Sequence, residues 1–227
     1  MTPERSVARE YLEALIIAAI FLFFTNTFVV QTFYIPSASM EKTLLIGDHL
    51  FVNRFLYGPA LTPLERKLLP LRPARRGDIV VFRSPETPTM DIVKRCIGLA
   101  GDVIQVIDRK LYINGKAVDD SAYAIHIDPL GRSDQTAAAN NFGPFKVPPH
   151  NYFCMGDNRE NSYDSRFWGA LPEHLLKGRA LFIYWSYGGE TSDGRWEGVG
   201  AKLRDLGRTA LGFFPNTRWG RSFRLIR

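Results

Sequence analysis

The apolar positions form one long run near the start and then many short ones. From Leu12 to Val30 the chain is apolar except at Glu13, Thr25, Asn26 and Thr27. A helix over those 19 positions spans roughly 28 Å, close to a hydrocarbon core of about 30 Å. A cleaved leader needs small residues just past the apolar part, and Thr25 to Gln31 offers no good site. A buried core helix would show a polar stripe, and this surface, rich in Ile and Phe, has none. The pattern predicts an uncleaved transmembrane signal-anchor over 11–30, after a short cytoplasmic N-terminus (1–10). Arg5 and Arg9 precede the run and the next basic residue is Lys42, so everything after residue 31 is expected outside the cytoplasm.

Downstream, short apolar runs are opened again and again by a turn pair. Gly47-Asp48 leads into Leu50 to Val52, Gly77-Asp78 into Ile79 to Phe82, and Gly101-Asp102 into Val103 to Ile107. Asp91 to Gly98, Tyr152 to Met155 and Leu181 to Trp185 read as further strands. Lys110 to Ile113 and Lys116 to Val118 flank Asn114-Gly115, the favoured two-residue hairpin turn. Residues 54–76, rich in Pro, Leu and Arg, read as a surface excursion. Residues 119–148 are polar and irregular. The expected fold is mainly β: an antiparallel β catalytic core (31–107 and 149–200) with a small inserted lobe (108–148), preceded by one N-terminal transmembrane helix. In the tail (201–227), Leu203, Leu206, Ala210 and Phe213 recur at helical spacing, as do Trp219, Phe223 and Ile226.

Composition sharpens the tail more than the core. The net charge is +6, and residues 201–227 hold seven basic residues against Asp205, so the rest of the chain is neutral. Basic residues beside aromatic ones suit an anionic lipid surface. The same isolation of charge points away from nucleic acid. Two cysteines, Cys96 and Cys154, are too few for a disulfide framework and read as small buried side chains. Scattered histidines and distant cysteines give no metal site. No cofactor is expected.

Three stretches carry candidate chemistry. Ile35-Pro36-Ser37-Ala38-Ser39-Met40 follows directly on the apolar run. If extended, Ser37 and Ser39 present two hydroxyls on one face, behind a proline that fixes one backbone angle. A Ser-His-Asp triad has no support: no histidine lies in a motif, and Gly-x-Ser-x-Gly is absent. Lys94 interrupts an apolar strand, and Arg95 beside it points the opposite way, so one of the two faces inward. A buried lysine is pushed toward the neutral amine, which can act as general base to a serine. On the pattern alone, the favoured reading is that Arg95 faces inward or that the Lys94 side chain reaches out to solvent. The third stretch, Gly156-Asp157-Asn158-Arg159-Glu160-Asn161-Ser162-Tyr163-Asp164-Ser165-Arg166, is too polar for a strand and dense in groups that can satisfy a buried site.

In order and spacing, these stretches closely resemble the bacterial type I signal peptidases, together with Gly-Asp-His-Leu (47–50), Arg-Gly-Asp-Ile-Val-Val-Phe (76–82) and Val-Lys-Arg-Cys-Ile-Gly (93–98). The resemblance implies that Ser39 is the nucleophile and Lys94 the general base. The Ser37 hydroxyl and the Ser39 backbone N–H would form the oxyanion hole. Ser162 would orient the Lys94 amine, Asp164 and Arg166 would brace the loop, and Gly156, Asp157 and Asn158 would support it. Phe33, Ile35, Met40, Leu44, Ile92 and Val93 would line pockets for small residues. The implied function is cleavage of signal peptides from exported preproteins by a single-pass enzyme of the bacterial inner membrane, with preproteins and the lipid bilayer as partners. Departures are mild: Ala38 where Gly is common, Lys42 where Pro is common, Glu160 for Asp. The rivals are a conjugative-transfer or pilin-processing peptidase of the same chemistry, and a catalytically silent, membrane-tethered binding module.

Overall fold

The structure, a computed structural model, describes residues 7–24, 30–53, 57, 72–127, 140–189, 200 and 207–226. Helix α1 (Val7–Phe24) carries its charges in its first two turns, where Arg9 pairs with Glu13 at 2.8 Å. Beyond them Leu15, Ile17, Ile20 and Phe21 are all exposed. No helix among the described residues is long and apolar enough to cross a membrane. Within α1, Arg9, Glu10 and Glu13 interrupt the apolar stretch. The end of the predicted anchor, 25–29, lies outside the described residues.

Two antiparallel sheets follow, as the short apolar runs require. The larger contains β1 (Val30–Tyr34), β2 (Asp48–Asn53), β3 (Ile79–Arg83), β4 (Asp91–Gly98), β9 (Asn151–Met155), β10 (Leu171–Pro172), β11 (Leu176–Ser186) and β12 (Arg224–Leu225). Their spatial order is β1-β2-β11-β3-β4-β9-β10, with β12 alongside β11. Long β11 bridges β2 and β3, and register shifts along it bend the sheet. At Gly178 a Cβ would sit 2.4 Å from the Asn53 carbonyl oxygen, so only glycine admits that approach. One cluster, including Ile35, Met40, Leu44, Leu50, Val52, Ile79, Val81 and Ile183, fills one face. Another, with Val80, Phe82, Cys96, Tyr152, Cys154 and Leu171, fills the other. Cys96 and Cys154 face each other in the β4–β9 register as buried free thiols.

The smaller sheet, β7-β6-β5-β8, is built from β5 (Val103–Ile107), β6 (Lys110–Ile113), β7 (Lys116–Ala117) and β8 (Phe142–Lys146). Asn114 and Gly115 both have positive φ, as the hairpin turn demands. This sheet begins at Val103, within the stretch assigned above to the core. Strand β8 occupies the end of the stretch expected to be irregular, of which 128–139 lie outside the described residues. Gly143 and Pro144 hide its signature, while Phe142 and Phe145 stack near Phe153 with ring centroids 5.4 and 5.5 Å away. A Cβ at Gly143 would meet the Ile104 carbonyl oxygen at 2.5 Å.

The tail also differs from its helical reading. Residues 207–211 and α3 (Phe213–Asn216) are helical, with Leu203 and Leu206 outside the described residues, but Trp219 to Phe223 form turns that lead into β12. The cause is inward pairing. The Arg221 guanidinium reaches buried Asp48 at 2.6 Å, Arg218 donates to the Ile46 carbonyl at 2.9 Å, and Ile226 enters the core. Residues 54–56 and 58–71 of the expected surface excursion lie outside the described residues.

Candidate active site

Strand β1 ends at Tyr34 and Pro36 has no N–H with which to extend the ladder. The Ser37–Ser39 stretch is therefore not the extended pair supposed above. Ser37 is extended (φ −130°, ψ 156°), and Ala38–Met40 coil into one tight 3₁₀ turn. The turn still brings the hydroxyls together, with Ser37 Oγ 3.4 Å from Ser39 Oγ. Met40 plugs the turn into the core.

Strand β4 delivers the amine. In register it lies between β3 and β9, with Lys94 opposite Val80. Lys94 and Arg95 are both buried, at 4% and 3% exposure, where the sequence pattern expected one of the two inward: each face of β4 is covered. Lys94 Nζ lies 2.5 Å from Ser39 Oγ. Burial, partly offset by the charge of Asp164 and assisted by that of Arg166, brings the lysine pKa down from 10.5 to about 8. Arg95, on the other face, donates to both oxygens of Asp157 at 2.8 and 2.7 Å and lies over the Tyr123 ring at 4.3 Å. Asp157 also accepts from Thr43 Oγ1 at 2.5 Å.

The 156–166 stretch folds around one buried carboxylate. Asp164 accepts from the Gly156 N–H at 2.9 Å, from Ser162 Oγ at 2.7 Å, and from Arg166 Nε and Nη2 at 2.9 and 2.8 Å. It also caps α2 (Ser165–Trp168) through the Arg166 N–H. Burial alone would raise the Asp164 pKa, but the Arg166 guanidinium and these hydrogen bonds hold it below the usual carboxylate value. Ser162 Oγ thus donates to Asp164, and no hydrogen bond joins it to Lys94 among the described residues. Gly156 is wedged against the Ser39 turn: a Cβ there would sit 2.2 Å from Ser162 Oγ and 2.5 Å from the Ser39 carbonyl oxygen. Asn158 clasps the same turn, donating from its backbone to the Ser39 carbonyl at 3.1 Å and from Nδ2 to Ala38 O and Glu41 Oε2.

Among the described residues, the hydroxyl of Ser39 meets only Lys94 and Ser37, and no group of metal-ligating side chains forms. Phe33, Ile35, Met40, Leu44 and Val93 gather in one cluster. Ile92 is set apart on the Lys94 face, packed with Phe82 and Leu171. Sequence reasoning missed Glu41, Thr43 and Arg95 as parts of the site. Arg95 carried a signal, a guanidinium inside an apolar strand that needs a buried acid, and Asp157 supplies it.

A serine hydroxyl lies against a buried lysine of lowered pKa, and the family model described as "Signal peptidase, peptidase S26" matches residues 8–185. The chain belongs to this family. A protein named "Signal peptidase I" from Pseudomonas fluorescens is 34% identical over 190 residues, covering 71% of this chain and 67% of that one. A "Probable signal peptidase I-2" from a Synechocystis strain is 35% identical over 189 residues, covering 81% of this chain and 76% of its own. A crystal structure of a signal peptidase I from Enterococcus faecalis is 29% identical over 48% of this chain and 97% of its own, with a TM-score of 0.36. As a member of the signal peptidase family, the chain is an enzyme, a serine endopeptidase that cleaves signal peptides.

Proposed function

We propose that Ser39 is the nucleophile and Lys94 its general base. The observation that carries this is the 2.5 Å approach of the Lys94 amine to the Ser39 hydroxyl, with a lysine pKa brought down to about 8. The neutral amine takes the serine proton as Oγ attacks the scissile carbonyl. The Ser37 hydroxyl and the Ser39 N–H receive the oxyanion, where preorganised donors lower the barrier most. Protonated Lys94 then hands its proton to the departing amine, leaving an acyl-enzyme on Ser39. The same amine next activates the water that releases the signal peptide. Asp164, Arg166, Gly156, Asp157 and Asn158 hold the turn and the amine in register, and Ser162 acts through Asp164.

Small residues at the cleavage point fit the tight packing next to Ser39. Ile35, Met40 and Leu44 are fully buried, so they form a floor rather than an open slot. Phe33 and Val93, which are partly buried, offer walls on the side of that floor, and Ile92 a wall on the Lys94 side. Substrates then carry Ala, Gly or Ser at P1 and small or aliphatic residues at P3.

The same reading anchors the enzyme in the bacterial inner membrane. Helix α1 is roughly 27 Å long, and its uncharged part presents exposed apolar side chains around the helix. Water disfavours such a surface and lipid does not. With Arg5 and Arg9 on the cytoplasmic side, the catalytic sheets lie outside, where exported preproteins emerge. The test is cleavage of a preprotein by the full chain and by Ser39→Ala, with mass mapping of the cut. Wild type should cut once, after a small residue, and Ser39→Ala should not cut. A silent binding module would leave the preprotein whole in both.

A further inference from the structure

Lys42 has no part in that mechanism, yet the fold holds it in a demanding way. It lies three residues after Ser39, with φ of +90°, a left-handed backbone that a side chain with a Cβ rarely adopts. Such a conformation persists where the surroundings over-determine it. The surroundings are two backbone carbonyls. The Lys42 ammonium donates to the carbonyl of Ser121 and, at 3.2 Å, to that of Ala124.

Those carbonyls belong to the segment that leaves the smaller sheet after β7. It runs beside the Asp164 loop and is fastened to it. The Ile125 N–H donates to the Asp157 carbonyl at 2.8 Å, and the Arg159 N–H returns to the Ile125 carbonyl at 3.0 Å. Asp120 faces the Arg159 guanidinium at 2.6 Å. Glu160 accepts from the Ile127 N–H at 2.9 Å and meets His126 Nδ1 at 2.5 Å. The loop then returns to the nucleophile turn, since Asn158 binds the Ser39 carbonyl and Glu41. The contacts close a ring: the Ser39 turn, Lys42, the 121–125 segment, the 157–160 stretch, and back to the Ser39 turn. Lys42 is the member of this ring that is both fixed by a charge-assisted donor and held in left-handed backbone.

We propose that Lys42 is a positioning residue, whose ammonium closes the ring and so keeps Ser39 seated on Lys94. The proposal rests on the Ser39–Lys94 reading above. It ties the smaller sheet to the catalytic turn, so that the lobe serves the chemistry and not only the fold. A second consequence concerns Lys94, whose pKa burial brings down to about 8; a turn that rocks away admits water and lets it climb back.

The experiment compares wild type with Lys42→Gly, Lys42→Met and Lys42→Arg, each as the full chain in detergent micelles, against a signal-peptide substrate. Lys42→Gly removes the donor but also relieves the left-handed backbone, so its thermal midpoint should stay near that of wild type. Its kcat should nonetheless fall about tenfold, with KM within about twofold, since a misplacement of about 1 Å costs on the order of 100-fold. Its kcat–pH limb should move upward from about 8. Lys42→Met should show the same loss, and Lys42→Arg, which can still donate to both carbonyls, should recover most of it. A kcat within twofold of wild type with an unmoved pH limb in both Lys42→Gly and Lys42→Met overturns the proposal. So does a loss that follows the folded fraction of each variant. If Ser39→Ala still cleaves, the reading beneath the proposal fails; if Ser39→Ala is dead and the Lys42 variants are normal, only the proposal fails.

Discussion

Gly156→Ala places a single methyl group where the structure has no room for it. The new Cβ would lie 2.2 Å from Ser162 Oγ, 2.5 Å from Ser162 Cβ and 2.5 Å from the carbonyl oxygen of Ser39. The serine side chain can rotate, but the Ser39 carbonyl is backbone and must move with its turn. Restoring an ordinary contact of about 3.4 Å asks for a displacement of roughly 0.9 Å. The Ser39 hydroxyl starts 2.5 Å from the Lys94 amine, so that displacement takes it out of good hydrogen-bond range. At about 100-fold per ångström of misplacement, kcat should fall by one to two orders of magnitude. Overpacking should also cost about 1–3 kcal/mol of stability. The assay is turnover of a signal-peptide substrate, run well below the variant's melting point, with folding checked by circular dichroism. Wild-type kcat in a folded Gly156→Ala enzyme would refute the wedge between the Asp164 loop and the nucleophile turn.

Other consequences are as direct. Lys94 ought to be neutral to act, so kcat should rise with pH and level off above about 8, with only about a tenth of the base available at pH 7; a limb that follows a histidine and vanishes on its mutation contradicts this. Between about 8 and 10.5 the unfolded chain holds a proton that folded Lys94 lacks, so stability rises with pH across that window, and below it the folded state carries the burial cost in full. That cost is roughly 3 kcal/mol, so Lys94→Met should be inactive yet melt higher than wild type at pH 7, and lose the rise; melts at pH 7 and 9 decide it. Asp164→Asn takes away the negative charge that compensates the buried Arg166 guanidinium and should cost about 3–5 kcal/mol in denaturant titration, and because the Asp164 pKa is depressed, its stabilisation should be present above the ordinary carboxylate pKa and fade only as pH falls through the lower folded value. In the tail, Arg218 and Arg221 are committed to the core, while Phe214 and Trp219 are exposed; a chain shortened to residues 25–227 should bind anionic vesicles through these rings, and Phe214→Ser with Trp219→Ser should weaken co-sedimentation, whereas no binding by the parent at low salt rejects the lipid contact.

What could be read in advance was what local chemistry fixes. Gly-Asp pairs and the Asn114-Gly115 turn marked strand starts, because such residues are selected by backbone angle and not by distant neighbours. Ser39, Lys94 and Asp164 stood out because each is polar where its surroundings are not, or is part of an unusually dense polar run. What escaped depends on partners far along the chain. Strand β8 owes its place to the stacking of Phe142 and Phe145 on Phe153, and Gly143-Pro144 reads locally as a loop. Trp219, Phe223 and Ile226 keep helical spacing, yet the pull of Asp48 on Arg221 sets the tail in turns and a strand. Ser162 was assigned to the amine because both were placed at the site, while the geometry gives it to a carboxylate two residues away. Burial of both Lys94 and Arg95 could not follow from alternation, which describes one covered face and not two.

The most direct test of the central claim is the kcat–pH profile of wild type beside the turnover of Lys94→Ala, Ser39→Ala and the double variant. The two residues act as one unit, so each single loss should be nearly complete and the double variant scarcely worse than either. The wild-type limb should titrate near 8, well under the value of a free lysine. Substantial turnover by folded Lys94→Ala, or losses that multiply in the double variant, would contradict a serine activated by this lysine.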